Sequence, residues 1–161
     1  MLIFIDISFT FIRLNISKKI YFMDNLFSIK PLNDEDIEFV TQISRKEGFA
    51  PGVGDLGIYQ NTDKQGLWVG WLNDNPIGCI AGVRYNENYG FLGLFLVLQK
   101  YRGRGFGLQL RKKALAHLND LPCVGLEAAP ERISDYSKWG FTISSKTTRW
   151  QWSGDGTLLK D

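Results

Sequence analysis

A chain of 161 residues that is 44% hydrophobic, 14% aromatic and 22% charged has the length and inventory of one globular domain, which excludes a disordered segment, a collagen-like repeat or a coiled coil. Its 19 Lys+Arg against 17 Asp+Glu leave a formal charge of +2, too little basic excess for nucleic acid to be the expected partner. Cys79 and Cys123 lie in apolar segments without metal-ligand spacing and His117 is the single histidine, so the sequence predicts two buried thiols, no metal site and a reducing, cytoplasmic compartment.

Residues 1–22, MLIFIDISFTFIRLNISKKIYF, are apolar but match neither an export signal nor a membrane span. Asp6 interrupts the run, Arg13, Lys18 and Lys19 follow it instead of preceding it, and its apolar length falls short of the about 20 residues a spanning helix needs. The expectation is an extension outside the domain, with translation starting at Met23; an apolar arm that pairs with a sheet edge, a partner or a membrane surface is the alternative. The domain itself is expected over residues 23–161.

From Leu26 to Lys30 the alternation predicts a strand, and Asn33 or Asp34 then caps a helix from Asp34 to about Lys46. The glycine-rich stretch from Glu47 to Gly66 predicts a loop with a short helix near Asp55–Tyr59. Two strands joined through Asn73-Asp74-Asn75-Pro76 read as an antiparallel hairpin, and Tyr89–Leu98 as a central strand, apolar on both faces. Leu108, Leu110, Ala114, Leu115 and Leu118 mark a helix; a short strand (CVGLEA), a short helix ending at a glycine (PERISDYSKWGF) and a last long strand (FTISSKTTRWQW) complete the series.

Between the central strand and the following helix stand Arg102, Gly103, Arg104, Gly105, Phe106 and Gly107. Glycines there let backbone N–H groups approach an anion, and the helix end adds positive potential, so a pyrophosphate is the natural occupant. A P-loop would need Gly-Lys-Ser/Thr and a dinucleotide fold G-x-G-x-x-G, and neither is present.

Arg102, Gly105 and Gly107, following Val97, match the Arg/Gln-x-x-Gly-x-Gly/Ala motif, and Tyr136, Gly140 and Phe141 match Tyr-x-x-x-Gly-Phe, in the order and separation found in the GNAT superfamily of acetyl-coenzyme A-dependent N-acyltransferases. Gln99 stands where that family often has proline. The chain resembles this superfamily over about residues 26–152, and the EGFAPGVGDLGIY segment is similar to a branch in which a second such domain often follows; here the chain stops soon after Trp152.

The resemblance implies an α/β (α+β) fold whose mostly antiparallel twisted sheet splays near Val97 to admit acetyl-CoA. It implies that the backbone of Gly103, Arg104, Gly105, Phe106 and Gly107, with Arg102, holds the pyrophosphate, and that Leu96 and Val97 pair with the pantetheine arm. A strand N–H near Leu96 would stabilise the oxyanion, and Tyr136 would protonate the departing thiolate. No carboxylate lies on the Phe91–Leu98 strand, so Glu127 is the first candidate for the general base and Asp55 the second, while an amine that loses its proton to water needs neither.

Phe49, Asp55 and Tyr59 are the expected acceptor pocket, with Asp55 and Asp63 suited to a cationic amine; His117 is read as partly exposed and non-catalytic, and the tryptophans as core or sheet-face residues. The implied acceptor is a primary amine of a small molecule, protein or peptide, and a homodimer stays open. The rival reading is a non-catalytic acyl-CoA-binding or interaction module, favoured by the missing strand carboxylate and the early chain end.

Overall fold

The computed structural model describes residues 27–49 and 51–148. The extension over residues 1–22, the start at Met23, Leu26, and residues 149–152 of the last expected strand lie outside the described residues. Contacts divide the chain into two units, one up to Glu127 and one from Ala128 onward.

In the first unit β1 (Phe27–Pro31) leads to α1 (Asp36–Lys46) and α2 (Asp55–Thr62). Then come β2 (Leu67–Leu72), β3 (Asn75–Arg84), β4 (Tyr89–Val97), α3 (Phe106–Leu118) and β5 (Cys123–Leu126). The sheet runs in the order β1-β2-β3-β4-β5, antiparallel throughout except for the parallel pair β4/β5.

Asn33 is the cap of α1: its Oδ1 accepts the Asp36 amide at 3.0 Å, and the Asp36 carboxylate accepts the Asn33 amide at 3.1 Å, a reciprocal capping box. The regular helix starts two residues later than expected because the turn before it is tighter, with Asp36 N donating to Asn33 O at 3.1 Å and Ile37 N to Asp34 O at 3.3 Å. The hairpin turn is also shorter than expected. Only Asn73 (φ 49°) and Asp74 (φ 61°) form it, the double positive φ of a type I′ turn, and Asn75 and Pro76 already belong to β3. A bulge beside Trp71 shifts the register there, and next to such a bulge a strand tolerates proline.

Both faces of the sheet are covered. Leu32, Val40, Ile43 and Leu56 from the α1–α2 side pack with Leu67, Val69, Cys79, Ala81, Val83 and Leu96. On the other side Leu110, Ala114 and Leu118 of α3 pack with Phe27, Trp68, Ile80 and Leu92. Gly82 allows that approach, since a Cβ there would stand 3.1 Å from the Ala114 Cβ. Cys79 is buried as expected, but Cys123 is exposed, because it opens β5 at the end of the sheet instead of facing either layer.

The C-terminal end of α3 is latched to the strand ends. The Arg84 guanidinium grips Asp120 with both nitrogens (2.6 and 2.9 Å) and donates to His117 O at 2.8 Å. Asp63, at the end of α2, accepts His117 Nε2 at 2.7 Å, the Arg84 amide at 2.9 Å and the Gln65 amide at 3.0 Å.

In the second unit a single 3-10 turn (Pro130–Arg132) enters α4 (Ile133–Lys138). The helix ends in a Schellman motif: Gly140 at φ 91° donates to Ser137 O at 3.1 Å and Phe141 to Tyr136 O at 3.2 Å. The long strand expected after it is not formed over residues 141–148, which are almost entirely exposed. Alternation confers strand propensity, but a strand also needs a ladder partner and a face to bury.

Burial alone would raise the Asp63 carboxyl, yet the hydrogen bonds from His117, Arg84 and Gln65 outweigh it and hold it below its ordinary 3.8; the Arg84 side chain holds Asp120 down to about 2. Both carboxylates therefore stabilise the fold in full above about pH 4, and that contribution is lost as pH falls towards the lowered values. Melting temperature measured against pH should drop through this acid window, and Asp63→Asn should flatten the drop while costing about 1–3 kcal/mol at neutral pH by leaving its buried donors poorly paired.

Candidate active site

The sheet opens inside β4. Parallel pairing with β5 ends at Leu92↔Leu126, so from Gly93 to Val97 the strand has β3 on one side and, among the described residues, no strand on the other. Leu94 has φ 46°, and the β3/β4 register slips between Cys79↔Leu96 and Ala81↔Gly93, which together define a β-bulge. Its effect is visible in the packing. Leu92 and Leu96 would share a face in a regular strand, yet Leu92 lies in the α3 core and Leu96 in the α1–α2 core.

The register also decides which peptide groups face the opening. Leu98 N donates to Ile77 O at 2.8 Å, and Leu96 pairs with Cys79, so these two residues turn their backbone groups to β3. Val97, between them, turns its N–H and C=O to the open side. Of the pair Leu96 and Val97, it is Val97 that presents a strand edge. The buried Cys79 thiol, whose ionisation burial pushes up to about 12, donates to Leu94 O at 3.2 Å and so pins the bulge from behind.

After Val97 a 3-10 turn (Gln99–Tyr101) leads through Arg102 to Gly103 at φ 73° and Gly105 at φ 85°, the N-cap of α3. Positive φ demands glycine at both positions, and a Cβ there would meet nothing within 4 Å, so the space above the loop is open. Gly107 has a different role: its missing Cβ would touch Phe95 at 3.4 Å and Val97 at 3.5 Å, which brings the helix start close against β4. Among the described residues none of the amides from Gly103 to Leu108 donates to a backbone carbonyl. No acid occupies the first turn of α3. The loop is a concave set of donors at a positive helix end, which an anion satisfies.

The two arginines divide their work. Arg102 is committed to the protein, with Nε donating to Val97 O at 2.7 Å and its other end paired with Glu47 at 2.8 Å. It ties the opened strand to the end of α1, where the glycine-rich loop begins. Arg104 has no carboxylate partner among the described residues; its guanidinium lies 5.3 Å from the Phe106 ring and 5.8 Å from Tyr101. Phe106 itself is buried against Phe27, so that residue offers the loop its amide and the core its ring.

The two acids expected to suit a cationic amine each hold a backbone amide. Asp55 caps its own turn, accepting the Gly52 amide at 2.8 Å, and Asp63 is enclosed in the latch beside His117. One neutral amide does not cancel the Asp55 charge, which the Tyr59 hydroxyl feels, whereas Asp63 is drawn into the latch. Phe49 is exposed, as are Val53 and Ile58. Tyr59 packs half-buried on the α1–α2 core, its hydroxyl raised by burial and by the nearby Tyr85 and Asp55. Glu127 is exposed one residue beyond β5.

In the second unit the Tyr136 ring packs edge-on against Trp139 at 5.0 Å and Phe141 at 6.1 Å, and burial, more than the neighbouring Asp135, raises its hydroxyl. The bulge at Leu94 and the Asp63–His117 pair escaped sequence reasoning. Nothing in a run of leucines marks the bulge, and the pair joins residues 54 apart.

Known proteins agree with this geometry. The model of the acetyltransferase (GNAT) family matches residues 32–141. A protein named holothin acyltransferase from Pseudoalteromonas sp. (strain SANK 73390) is 34% identical over 120 residues, 74% of this chain but 40% of its own, so the chain spans about two fifths of that relative. The fold is shared with Ard1 from Thermoplasma volcanium, at a TM-score of 0.66 and 22% identity over 74% of this chain and 85% of that one. It is also shared with a Clostridium acetobutylicum protein described as a predicted acetyltransferase and solved with acetyl-CoA, at 0.59 and 16% identity over 78% of this chain and 96% of that one. With the family motif on an opened mixed sheet and a family match across two thirds of its length, the chain belongs to the acetyltransferase (GNAT) family of acyltransferases.

Proposed function

We propose that the protein transfers an acetyl group from acetyl-CoA to a primary amine. The observation that carries this reading is the row of glycine-rich amides from Gly103 to Gly107 at the start of α3, directly beyond the end of β4 that has no second strand among the described residues. The amides and Arg104 would hold the pyrophosphate, and the Val97 carbonyl would accept from the pantetheine arm. Bound acetyl-CoA supplies the activated thioester.

Within this reading, the Val97 N–H is the donor for negative charge on the thioester oxygen, since Leu96 is turned to β3. Tyr136, raised by burial and so protonated at neutral pH, is the acid for the leaving thiolate, a role that rests on the family motif. Glu127 is the first candidate for the base and Asp55, which also caps its own turn, the second.

The acceptor we infer is a compact amine with an apolar body. Phe49, Val53 and Ile58 are exposed apolar side chains of the loop and α2, and Asp63 is enclosed in the latch, which leaves Asp55 as the charged group beside them. The name of the Pseudoalteromonas relative makes holothin the first acceptor to assay. Free thiols at Cys79 and Cys123 suit a cytoplasmic protein.

Acetyl-CoA at a hundred times its Kd should stabilise the full chain by about 2.7 kcal/mol, read as a rise in melting temperature. Gly105→Glu places a charged side chain in the cradle at a positive-φ position and should abolish that rise; a wild-type chain that is folded and shows no rise refutes the coenzyme assignment. Tyr136→Phe keeps the ring packing and the helix stop, so it should leave the ligand-induced rise intact and lower turnover by about 10²-fold or more. Unchanged turnover would remove Tyr136 from the chemistry.

Arg102→Ala frees Val97 O and Glu47 together. We expect a higher KM for the acceptor amine with little change in the acetyl-CoA-induced rise, measured by steady-state kinetics beside the melting curves.

A further inference from the structure

Away from the cradle, the latched end of α3 borders an open surface cavity of about 420 Å³, lined by the exposed Pro31, Gln65, Lys113 and Ala116 with His117 and the buried Trp68 at its floor. This volume lies in the range of small-molecule sites. Along α3, His117 is 12 residues from the Gly105 cap, about 18 Å at 1.5 Å per residue, so the cavity is separate from the pyrophosphate loop.

Its chemistry is one-sided. The lining has no carboxylate, and Lys113 has no acidic partner among the described residues; its ammonium lies 5.9 Å from the Trp68 ring. His117 stands edge-on to the same indole at 5.3 Å. Its Nε2 donates to Asp63, and on the neutral ring the remaining Nδ1 accepts, so it serves a donor and not a carboxylate. The Asp63 charge does not reach the cavity as a free acceptor, because His117, Arg84 N and Gln65 N already occupy its oxygens. What remains for a carboxylate is an ammonium and a side-chain amide on Gln65 over walls of proline, indole and methyl.

We propose that this cavity is a binding site for a small carboxylate with a compact apolar body, its charge taken by Lys113 and its body laid against Pro31, Trp68 and Ala116. A monoanion matches the single unneutralised cation. A phosphate dianion is disfavoured by the Asp63 charge held directly behind His117.

His117 is the only histidine in the chain, so its ring signals in a proton–carbon correlation spectrum identify themselves. Titrating the coenzyme-free full chain with benzoate should move them saturably; benzamide, acetate and inorganic phosphate should each bind at least about tenfold more weakly, about 1.4 kcal/mol or more. Lys113→Met should weaken benzoate by about tenfold or more, and Lys112→Met, one residue along the exposed face, should not.

Unshifted ring signals at tens of millimolar benzoate would overturn the site, as would equal affinity in Lys113→Met. Phosphate binding more tightly than benzoate would overturn its ligand class. Ring signals at their native positions in each ligand-free variant show that it is folded, and Lys113→Gln replaces Lys113→Met where they have moved. Because no coenzyme is present, these outcomes are independent of the acetyl-CoA reading.

Discussion

Leu94 holds a backbone conformation that costs a residue with a side chain about 1–2 kcal/mol, and the rest of the site depends on that cost being met. The bulge it makes reverses the facing of β4 from there onward. Leu96 goes into the α1–α2 core, Phe95 and Val97 pack toward α3, and the Val97 peptide is aimed away from β3. Without the reversal, β4 would carry its alternation unchanged to Val97 and the open edge would present different groups. The offsetting interactions are local: burial of Leu96 on one side and of Leu92 on the other, and the Cys79 thiol bonded to the Leu94 carbonyl.

An opened strand alone is an aggregation hazard, because unpaired N–H and C=O groups template any other strand. Here the hazard is managed by the same residues that make the loop beyond it. Arg102 covers the Val97 carbonyl with a charged donor and is itself fixed by Glu47. A carbonyl has two lone pairs, so this contact protects the edge while leaving capacity for a second donor. The link reaches the end of α1, from which the glycine-rich loop departs, and thereby couples the strand edge to the chain that follows Glu47.

The elements of the sequence that announce themselves are those whose physics is local. Period-two and period-3.6 runs located the strands and helices because burial acts residue by residue, and the alternating glycines located the loop because positive φ at Gly103 and Gly105 leaves little choice of residue. The misread features share a different cause. Asn73-Asp74-Asn75-Pro76 holds more turn-forming residues than the two the turn uses, and the surplus entered β3. Cys123 sits among apolar neighbours in sequence but at an exposed strand start in space. Leu94 carries no mark at all, since the strain is set by register with β3 and not by the residue.

Tyr136, Gly140 and Phe141 illustrate how one motif serves two levels of structure. In local terms they are the C3, C′ and C″ positions of a helix stop: Gly140 supplies the left-handed turn, Phe141 bonds back to the Tyr136 carbonyl, and the two rings meet across the stop. This arrangement uses the backbone and the ring of Tyr136 and makes no demand on its hydroxyl. A phenylalanine would stop the helix equally well. The stop fixes the ring, and burial raises the hydroxyl above its ordinary 10. The helix stop therefore accounts for an aromatic residue at position 136, and the hydroxyl is the part of it that the proposed acid role would use.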